Sequence, residues 1–329
     1  MNKGAGVHVD TVAVVLEAPE ALGLSRLNLL PMGQDDVVVD VEWSGISTGT
    51  ERLLYTGRMP AFPGMGYPLV PGYESVGRII AAGANSPHPI GCRVFVPGSR
   101  GFAPRGDVPV RGLFGGAASR LVASSARIMP IDEDLGVDGV LMALAATAQH
   151  AIAPLGAPGF VPPELIVGHG VLGRLIARLV IAAGAPAPTV WETNPARFGG
   201  AVGYQVVRAE DDARRDYRSI CDVSGDGSML DALIQRLAPC GEIILAGFYA
   251  APLSFAFPPA FMREARLRIA TEFKAPDLAM VRDHLAAGRL SLDGLVTHHR
   301  PPDAAEEAYR TAFSDAACLK MVIDWRAAQ

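Results

Sequence analysis

Cysteine is scarce and scattered. The four thiols, Cys92, Cys221, Cys240 and Cys318, lie far apart and form no CxxC spacing, so a thiolate metal centre has nothing to build from. They read as small core residues, and disulfides are not expected in the reducing cytoplasm where the chain is placed. Basic charge is also short. Charged residues make up 19% of the chain and the formal net charge is −5, which argues against a nucleic-acid partner, because neutralising phosphates takes a basic face. Lysine occurs only at Lys3, Lys274 and Lys320, with arginine carrying the rest. Together with heavy Ala, Gly and Pro usage, that reflects a GC-rich coding sequence rather than a fold. Low-complexity tracts and single-sign blocks are missing, so disorder is not expected over most of the length.

Long apolar runs are missing as well. No stretch is expected to reach the roughly 18 to 20 residues that span a bilayer. The N-terminal Val12–Leu16 run is too short for a signal peptide and is followed by Glu17. What is present is a chain of 329 residues, 50% hydrophobic, enough for a sizeable core and two domains.

The first 150 residues hold short β-type runs separated by Gly and Pro: TVAVVLE, DVVVDVEW, VGRIIAAG, CRVFVPG and SRLVAS. Such spacing predicts a strongly bent, mostly antiparallel sheet or partial barrel. Two stretches, Tyr55 to Gly72 and Pro97 to Gly116, have little regular character, as functional loops often do. From Glu164 the pattern becomes short apolar strands alternating with helices, which predicts a doubly wound parallel sheet in an α/β domain. The tail, GLVTHHR, DAAEEAYRTAF and CLKMVIDW, returns to strand–helix–strand and is assigned to the first domain. The expected division is 1–150 with 291–329, and 151–290.

Gly168-His169-Gly170-Val171-Leu172-Gly173 fits GxGxxG. Alone the pattern is weak, but a hydrophobic strand leads into it, an apolar helix follows, and a second strand ends in Glu192. That context is the dinucleotide-binding fingerprint. The glycines allow a tight turn and close approach of a pyrophosphate to a helix N-terminus. Glu192 would accept from the ribose hydroxyls and repel a 2′-phosphate, so NAD is expected over NADP. Asp222, Ser224, Gly247 and Phe248 end later strands and are expected along the cofactor crevice.

Three further segments carry a family resemblance. Ser44 to Glu51 (SGISTGTE) resembles the GICGTD stretch of the medium-chain dehydrogenases and reductases, Pro71-Gly72-Tyr73-Glu74 their PGHE, and Leu144 to His150 their segment entering the cofactor domain. The likeness covers essentially the whole chain and implies a GroES-like catalytic domain beside a Rossmann domain. Zinc members place ligands where this chain has Ser47, Tyr73 and about Ala143. Those side chains are not a zinc set, so no metal is expected. Longer segments, FPGMGYPLVPGYE, RGLFGGAASRL, CDVSGDG, LAGFY and SFAFPPAFMREARLRIA among them, resemble the dehydrogenases of the bacteriochlorophyll pathway. That likeness implies NAD-linked oxidation of the 3-(1-hydroxyethyl) group of a bacteriochlorophyllide to 3-acetyl, with a tetrapyrrole as substrate.

Without zinc a side chain must take the alcohol proton. Tyr73 is the first candidate, if neighbours lower its pKa; the competing reading is an aromatic that fills the vacated ligand position. Ser47 with Thr48 could form a hydroxyl relay, His150 could pass protons to solvent, and Glu74 is either a base or a buried partner for an arginine. The Tyr55–Tyr67 segment, with Phe62 and Tyr67, suits the wall of a flat apolar ring. Arg58, Arg105 or Arg111 could pair with its propionate. A zinc-free quinone or enoyl reductase is the alternative enzyme, and a catalytically silent nucleotide-binding member the alternative class. The oligomeric state (relatives are commonly dimers or tetramers, so a homodimer fits) and peripheral membrane association through the pigment are left open by the sequence.

Overall fold

A computed structural model describes residues 10–112, 114–153, 161–249 and 251–328. Two compact units divide the chain, Met1–Met142 with Leu295–Gln329, and Ala143–Gly294.

The first unit opens on a hairpin of β1 (Asp10–Ala18) and β2 (Ala21–Asn28), the second strand of which the residue pattern did not reveal. There follow β3 (Asp36–Ile46), α1 (Thr50–Tyr55), β4 (Ser75–Ala82), β5 (Arg93–Val96), β6 (Arg120–Ser124) and β7 (Met129–Pro130). Strand β3 is the spine of the unit: β4 and β6 pair with it antiparallel. Its side chains alternate between faces, as strand geometry requires. Val37, Val39 and Val41 enter one core cluster, while Val38 enters another with Ala13 and Val15 of β1. A sheet buried on both faces explains the near-continuous valines.

Helix α2 (Met142–Ile152) leads into the second unit, and all of it past Met142 falls in that unit, whereas the sequence division stands at residue 150. The 3₁₀ segment Glu133–Leu141, with a kink at Gly136, precedes it. Together these form the one stretch among the described residues, Glu133–Ile152, long and apolar enough by length and composition to cross a membrane. Its apolar window is 67% buried inside the protein. The sequence expectation of no such stretch overlooked it because Ala and Gly dilute the run.

The second unit continues with β8 (Leu165–Val167), α3 (Val171–Ala182), β9 (Thr189–Trp191), β10 (Gln205–Val207), β11 (Tyr217–Asp222), α4 (Leu230–Arg236), β12 (Leu237–Leu245), α5 (Phe257–Met262), β13 (Arg266–Ile269) and α6 (Ala275–Ala286). The sheet order β10-β9-β8-β11-β12-β13 is all parallel. Counted from β8 it is the 3-2-1-4-5-6 order of a dinucleotide-binding sheet, with the crevice beyond the carboxyl ends of its central strands. Two of its strands, β10 and β13, are too short and polar to stand out in the residue pattern. Helix α3 fully buries Leu175, Ile176, Leu179 and Val180, each worth about 1.5–3 kcal/mol.

The tail supplies β14 (His298–Arg300), α7 (Ala305–Ser314) and β15 (Met321–Asp324). Strand β15 pairs antiparallel with β3, Met321 opposite Ile46 and Ile323 opposite Ser44. The last part of the chain thus lies against the strand that leads into the SGISTGTE segment.

Candidate active site and nucleotide turn

In the first unit the end of β3, the start of α1 and the PGYE turn bring a polar cluster together. The Tyr73 hydroxyl donates to Ser47 Oγ at 2.5 Å and lies 3.4 Å from Thr50 Oγ1. Thr48, the expected partner in a relay, is exposed. The first turn of α1 carries Thr50 inward instead, so the relay expectation moves from Thr48 to Thr50. The premise for Tyr73 as base is overturned too. Burial first, then the neighbouring Glu74 charge, pushes its phenol pKa well above the ordinary value, so Tyr73 rests protonated.

Behind the hydroxyls lie two fully buried carboxyl groups. Glu74 Oε2 accepts from Lys320 Nζ at 2.5 Å, and the same ammonium donates to the Ile46 carbonyl at 3.1 Å. Glu74 therefore does have a buried cationic partner, but it is lysine, not arginine. Burial raises the Glu74 carboxyl above its ordinary range, against the pull of Lys320. We read the pair as ionised, because leaving either group charged and alone would cost more. Glu51, which the residue pattern did not single out, accepts from the Ser47 amide at 3.0 Å and from the Tyr309 hydroxyl at 2.8 Å. Burial pushes its carboxyl from 4.5 up to about 7, opposed by those two hydrogen bonds.

A family zinc does not fit this donor set. Ser47 Oγ is taken up by a phenol, Glu74 faces an ammonium that would repel a cation, and Ala143 has no donor atom. Among the described residues no group of three His, Cys, Asp or Glu is placed to hold a metal ion.

His150 belongs to the second unit. Its Nδ1 lies 2.9 Å from Asp277 Oδ2 and its Nε2 3.2 Å from Thr271 Oγ1, all within the second unit. With both ring nitrogens occupied it ties α2 to the start of α6.

The nucleotide turn is built as its motif demands. Gly168 has φ +106°, open only to glycine at low cost. A Cβ at Gly173 would fall 1.9 Å from the Gly168 carbonyl, whereas one at Gly170 would meet nothing within 4 Å. Helix and turn are therefore in contact at Gly173, and Gly170 leaves open the face that a pyrophosphate needs. Val171 is buried and Leu172 half-buried, so both anchor the first turn of α3.

Glu192 accepts from the amides of His169 at 3.0 Å, Thr193 at 2.7 Å and Asn194 at 2.8 Å. Burial works to raise its carboxyl, but the amides of Asn194, His169 and Thr193 outweigh it and hold the pKa below the ordinary value. An ionised carboxylate is thus fixed just past β9, with one acceptor site on Oε2 left for a ribose hydroxyl. The His169 side chain is buried. Its Nδ1 faces the Arg197 carbonyl at 2.6 Å, which can only accept, so Nδ1 carries the proton and Nε2 accepts from the Tyr204 hydroxyl at 2.8 Å. Burial lowers its pKa to about 4.

Asp222 is fully buried. Its carboxylate accepts from the Ser224 amide and the Tyr249 hydroxyl, both at 2.8 Å. These bonds shape the turn after β11, whose backbone the sequence expectation sets along the crevice. Ser224 and Phe248 are exposed, and a Cβ at Gly247 would lie 2.9 Å from the Gly225 amide, so the two strand-end turns touch.

The substrate-wall residues are placed unequally. The Tyr67 hydroxyl donates to the Leu54 carbonyl, pinning its loop to α1. Phe62 is half-buried. Arg105 is gripped by Glu17 through two hydrogen bonds at 2.8 and 2.5 Å, and Arg58 donates to Thr56 at 3.3 Å.

This bent β unit and 3-2-1-4-5-6 sheet with its glycine turn define a medium-chain alcohol dehydrogenase, an oxidoreductase acting on CH–OH. Residues 33–133 match the alcohol dehydrogenase GroES-like domain. An Escherichia coli CFT073 alcohol dehydrogenase solved with NADH shares the fold, with a TM-score of 0.80 at 20% identity over 96% of this chain and 99% of that one. The chain is 55% identical over 317 residues, 96% of its length and 99% of the relative's, to the 2-desacetyl-2-hydroxyethyl bacteriochlorophyllide A dehydrogenase of Cereibacter sphaeroides. It is 52% identical to that of Rhodobacter capsulatus, over 98% and 100% of the two chains. The protein belongs to this dehydrogenase family.

Two stability experiments probe the buried cluster. Lys320→Met should cost about 3–5 kcal/mol in denaturant unfolding, because Glu74 is left charged and unpaired. Glu74→Met/Lys320→Met should recover most of that, and a double variant as unstable as the single would refute the ion-pair reading.

Glu51 gives a pH signature. Because its folded pKa is raised, its contribution to stability is full below about 4.5 and is lost as pH rises through about 7. Glu51→Gln keeps an acceptor and cannot titrate. The melting temperature of the unmodified protein relative to the variant should therefore fall across that window. A difference that is constant with pH would show that Glu51 is not held protonated.

Proposed function

We propose that this protein oxidises the 1-hydroxyethyl substituent of a bacteriochlorophyllide to acetyl, with NAD as cofactor and without a metal. The observation that carries the substrate is the 55% identity, over nearly the whole of both chains, to a dehydrogenase named for that pigment. Support for NAD comes from Glu192, an ionised carboxylate where a 2′-phosphate would have to lie. NAD supplies the hydride acceptor. The amides at the start of α3 and the open face at Gly170 hold its pyrophosphate, and Glu192 its ribose.

For the proton, the residues favour a neutral hydroxyl relay over a resting base. Ser47 Oγ, fixed by the Tyr73 phenol, holds the substrate hydroxyl. As Ser47 Oγ takes the alcohol proton it gives its own to the Tyr73 oxygen, and the phenol turns its proton from Ser47 to Thr50 Oγ1, which is half-exposed and releases one to water. The developing carbonyl is conjugated with the macrocycle, which eases oxidation without a Lewis acid.

The test is anaerobic incubation with NAD or NADP and the hydroxyethyl pigment, following its long-wavelength absorption band and NADH together. A red shift with matched NADH, and little reaction with NADP, is the expected result. Equal use of NADP would remove the Glu192 argument. Binding of NAD with no pigment turnover would favour the reductase or the silent nucleotide-binding reading.

Tyr73→Phe breaks the relay without emptying the space. It should lower kcat by about a hundredfold, the low end of what a positioned proton-transfer group contributes. Near-normal turnover would take Tyr73 out of the mechanism.

A further inference from the structure

Beside the hydroxyl cluster, and within the first unit, lies a small apolar cavity walled by Leu54, Met65, Leu69, Val70 and Phe114, with Arg111 on its lining. The cavity adjoins the chemistry directly. Phe114 packs on the Tyr73 ring with centroids 5.3 Å apart, and Leu54 lies on α1, the helix that carries Thr50.

Arg111 is unusual in how it is held. Its main chain is pinned: its amide donates to the Pro68 carbonyl and its carbonyl accepts from the Val70 amide, both at 2.8 Å. Its guanidinium lies against Gly66, where a Cβ would come within 3.6 Å of Nε. Yet the side chain is exposed and has no hydrogen bond or ion pair among the described residues. Arg105, by contrast, already has the Glu17 carboxylate, and Arg58 does not line the cavity. An arginine with a pinned main chain at an apolar wall, its five donors unspent, suits a ligand that is apolar in its body and carboxylate at its edge.

We propose that Arg111 is the specificity residue that binds the propionate carboxylate of the pigment and so lays the macrocycle's edge across the apolar residues around this small cavity. The inference rests on the pigment reading above. Phe114 and Met65 supply the flat apolar contact, and the bidentate guanidinium selects the free acid over an ester. Arg111 touches none of the reacting atoms, so its loss should act on binding and leave the chemical step alone.

The experiment compares the hydroxyethyl bacteriochlorophyllide acid with its propionate methyl ester in the unmodified protein, Arg111→Met and Arg111→Lys, with thermal melts alongside. The unmodified protein should favour the acid. Arg111→Met should raise KM for the acid by roughly 10- to 100-fold, leave kcat within about threefold, and abolish the acid-over-ester preference. Arg111→Lys, which keeps charge but not the planar fork, should restore part of the preference. If the unmodified protein oxidises the acid and Arg111→Met keeps the same KM and the same preference, the Arg111 assignment falls alone. A loss equal for acid and ester would also overturn it, as that is the mark of a structural role. If the unmodified protein neither binds nor oxidises either pigment, the assignment falls together with the function.

Discussion

The Lys320 ammonium organises the first unit's site. It is buried, it reaches Glu74 on the PGYE turn and the Ile46 carbonyl at the end of β3, and it sits one residue before β15. Three segments distant in sequence therefore share one cation. Two more links from the same tail reinforce it: the Trp325 indole donates to Ser44 Oγ at 2.9 Å, and Tyr309 donates to Glu51. Each satisfies a polar group that burial would otherwise penalise by about 1–3 kcal/mol. The discontinuity of the unit follows from this. Without the tail, the segment that carries Ser47 and Thr50 would keep its sequence and lose its shape.

The same cation leaves the site polar with a donor set that does not fit zinc. Zinc selects thiolate, imidazole and carboxylate donors around one centre. Here the carboxylate is neutralised by lysine, and the two remaining positions nearby hold hydroxyls that hydrogen-bond to each other. A hydroxyl pair is a weak base and a good template. Positioning of reactants can be worth several kcal/mol of the barrier, and a conjugated alcohol makes smaller demands on the base than an isolated one.

Much of this was legible in the sequence and some was not, for identifiable reasons. The nucleotide turn could be read because its glycines are demanded by backbone geometry, and because strand, turn, helix and acid come in a fixed order. The valines of β3 announced a strand for the same kind of reason. Strands β10 and β13 are short, polar and at the sheet edges, so no periodicity marks them. At the site, Ser47 and Tyr73 were visible as departures from a family pattern. Thr48 was preferred to Thr50 because adjacency in sequence was taken for adjacency in space, and one turn of helix reverses that. Tyr73 as a base was conditional on neighbours that lower its pKa, and the fold supplies burial and the Glu74 charge, which raise it. Lys320 did leave a signal: a lysine in an arginine-rich chain, set in an apolar strand entry, marks a place where a compact ammonium is needed. Glu51 left none beyond its place in SGISTGTE, since only the fold brings Tyr309 to it.

The two units also answer pH differently, and that bears on how the enzyme works. His169, neutral under burial until about pH 4, keeps the nucleotide turn in one charge state through the neutral range. Its donor to Arg197 and acceptor from Tyr204 are both preserved there, and Glu192 remains ionised. Glu51 changes charge near neutrality, behind the hydroxyls that would handle the alcohol proton. A negative charge gained at that point disfavours a second anion nearby, so Tyr73 stays a neutral phenol on both sides of the transition. In the relay proposed above the hydroxyls would exchange roles, and the titrating carboxyl would set the field in which they do so.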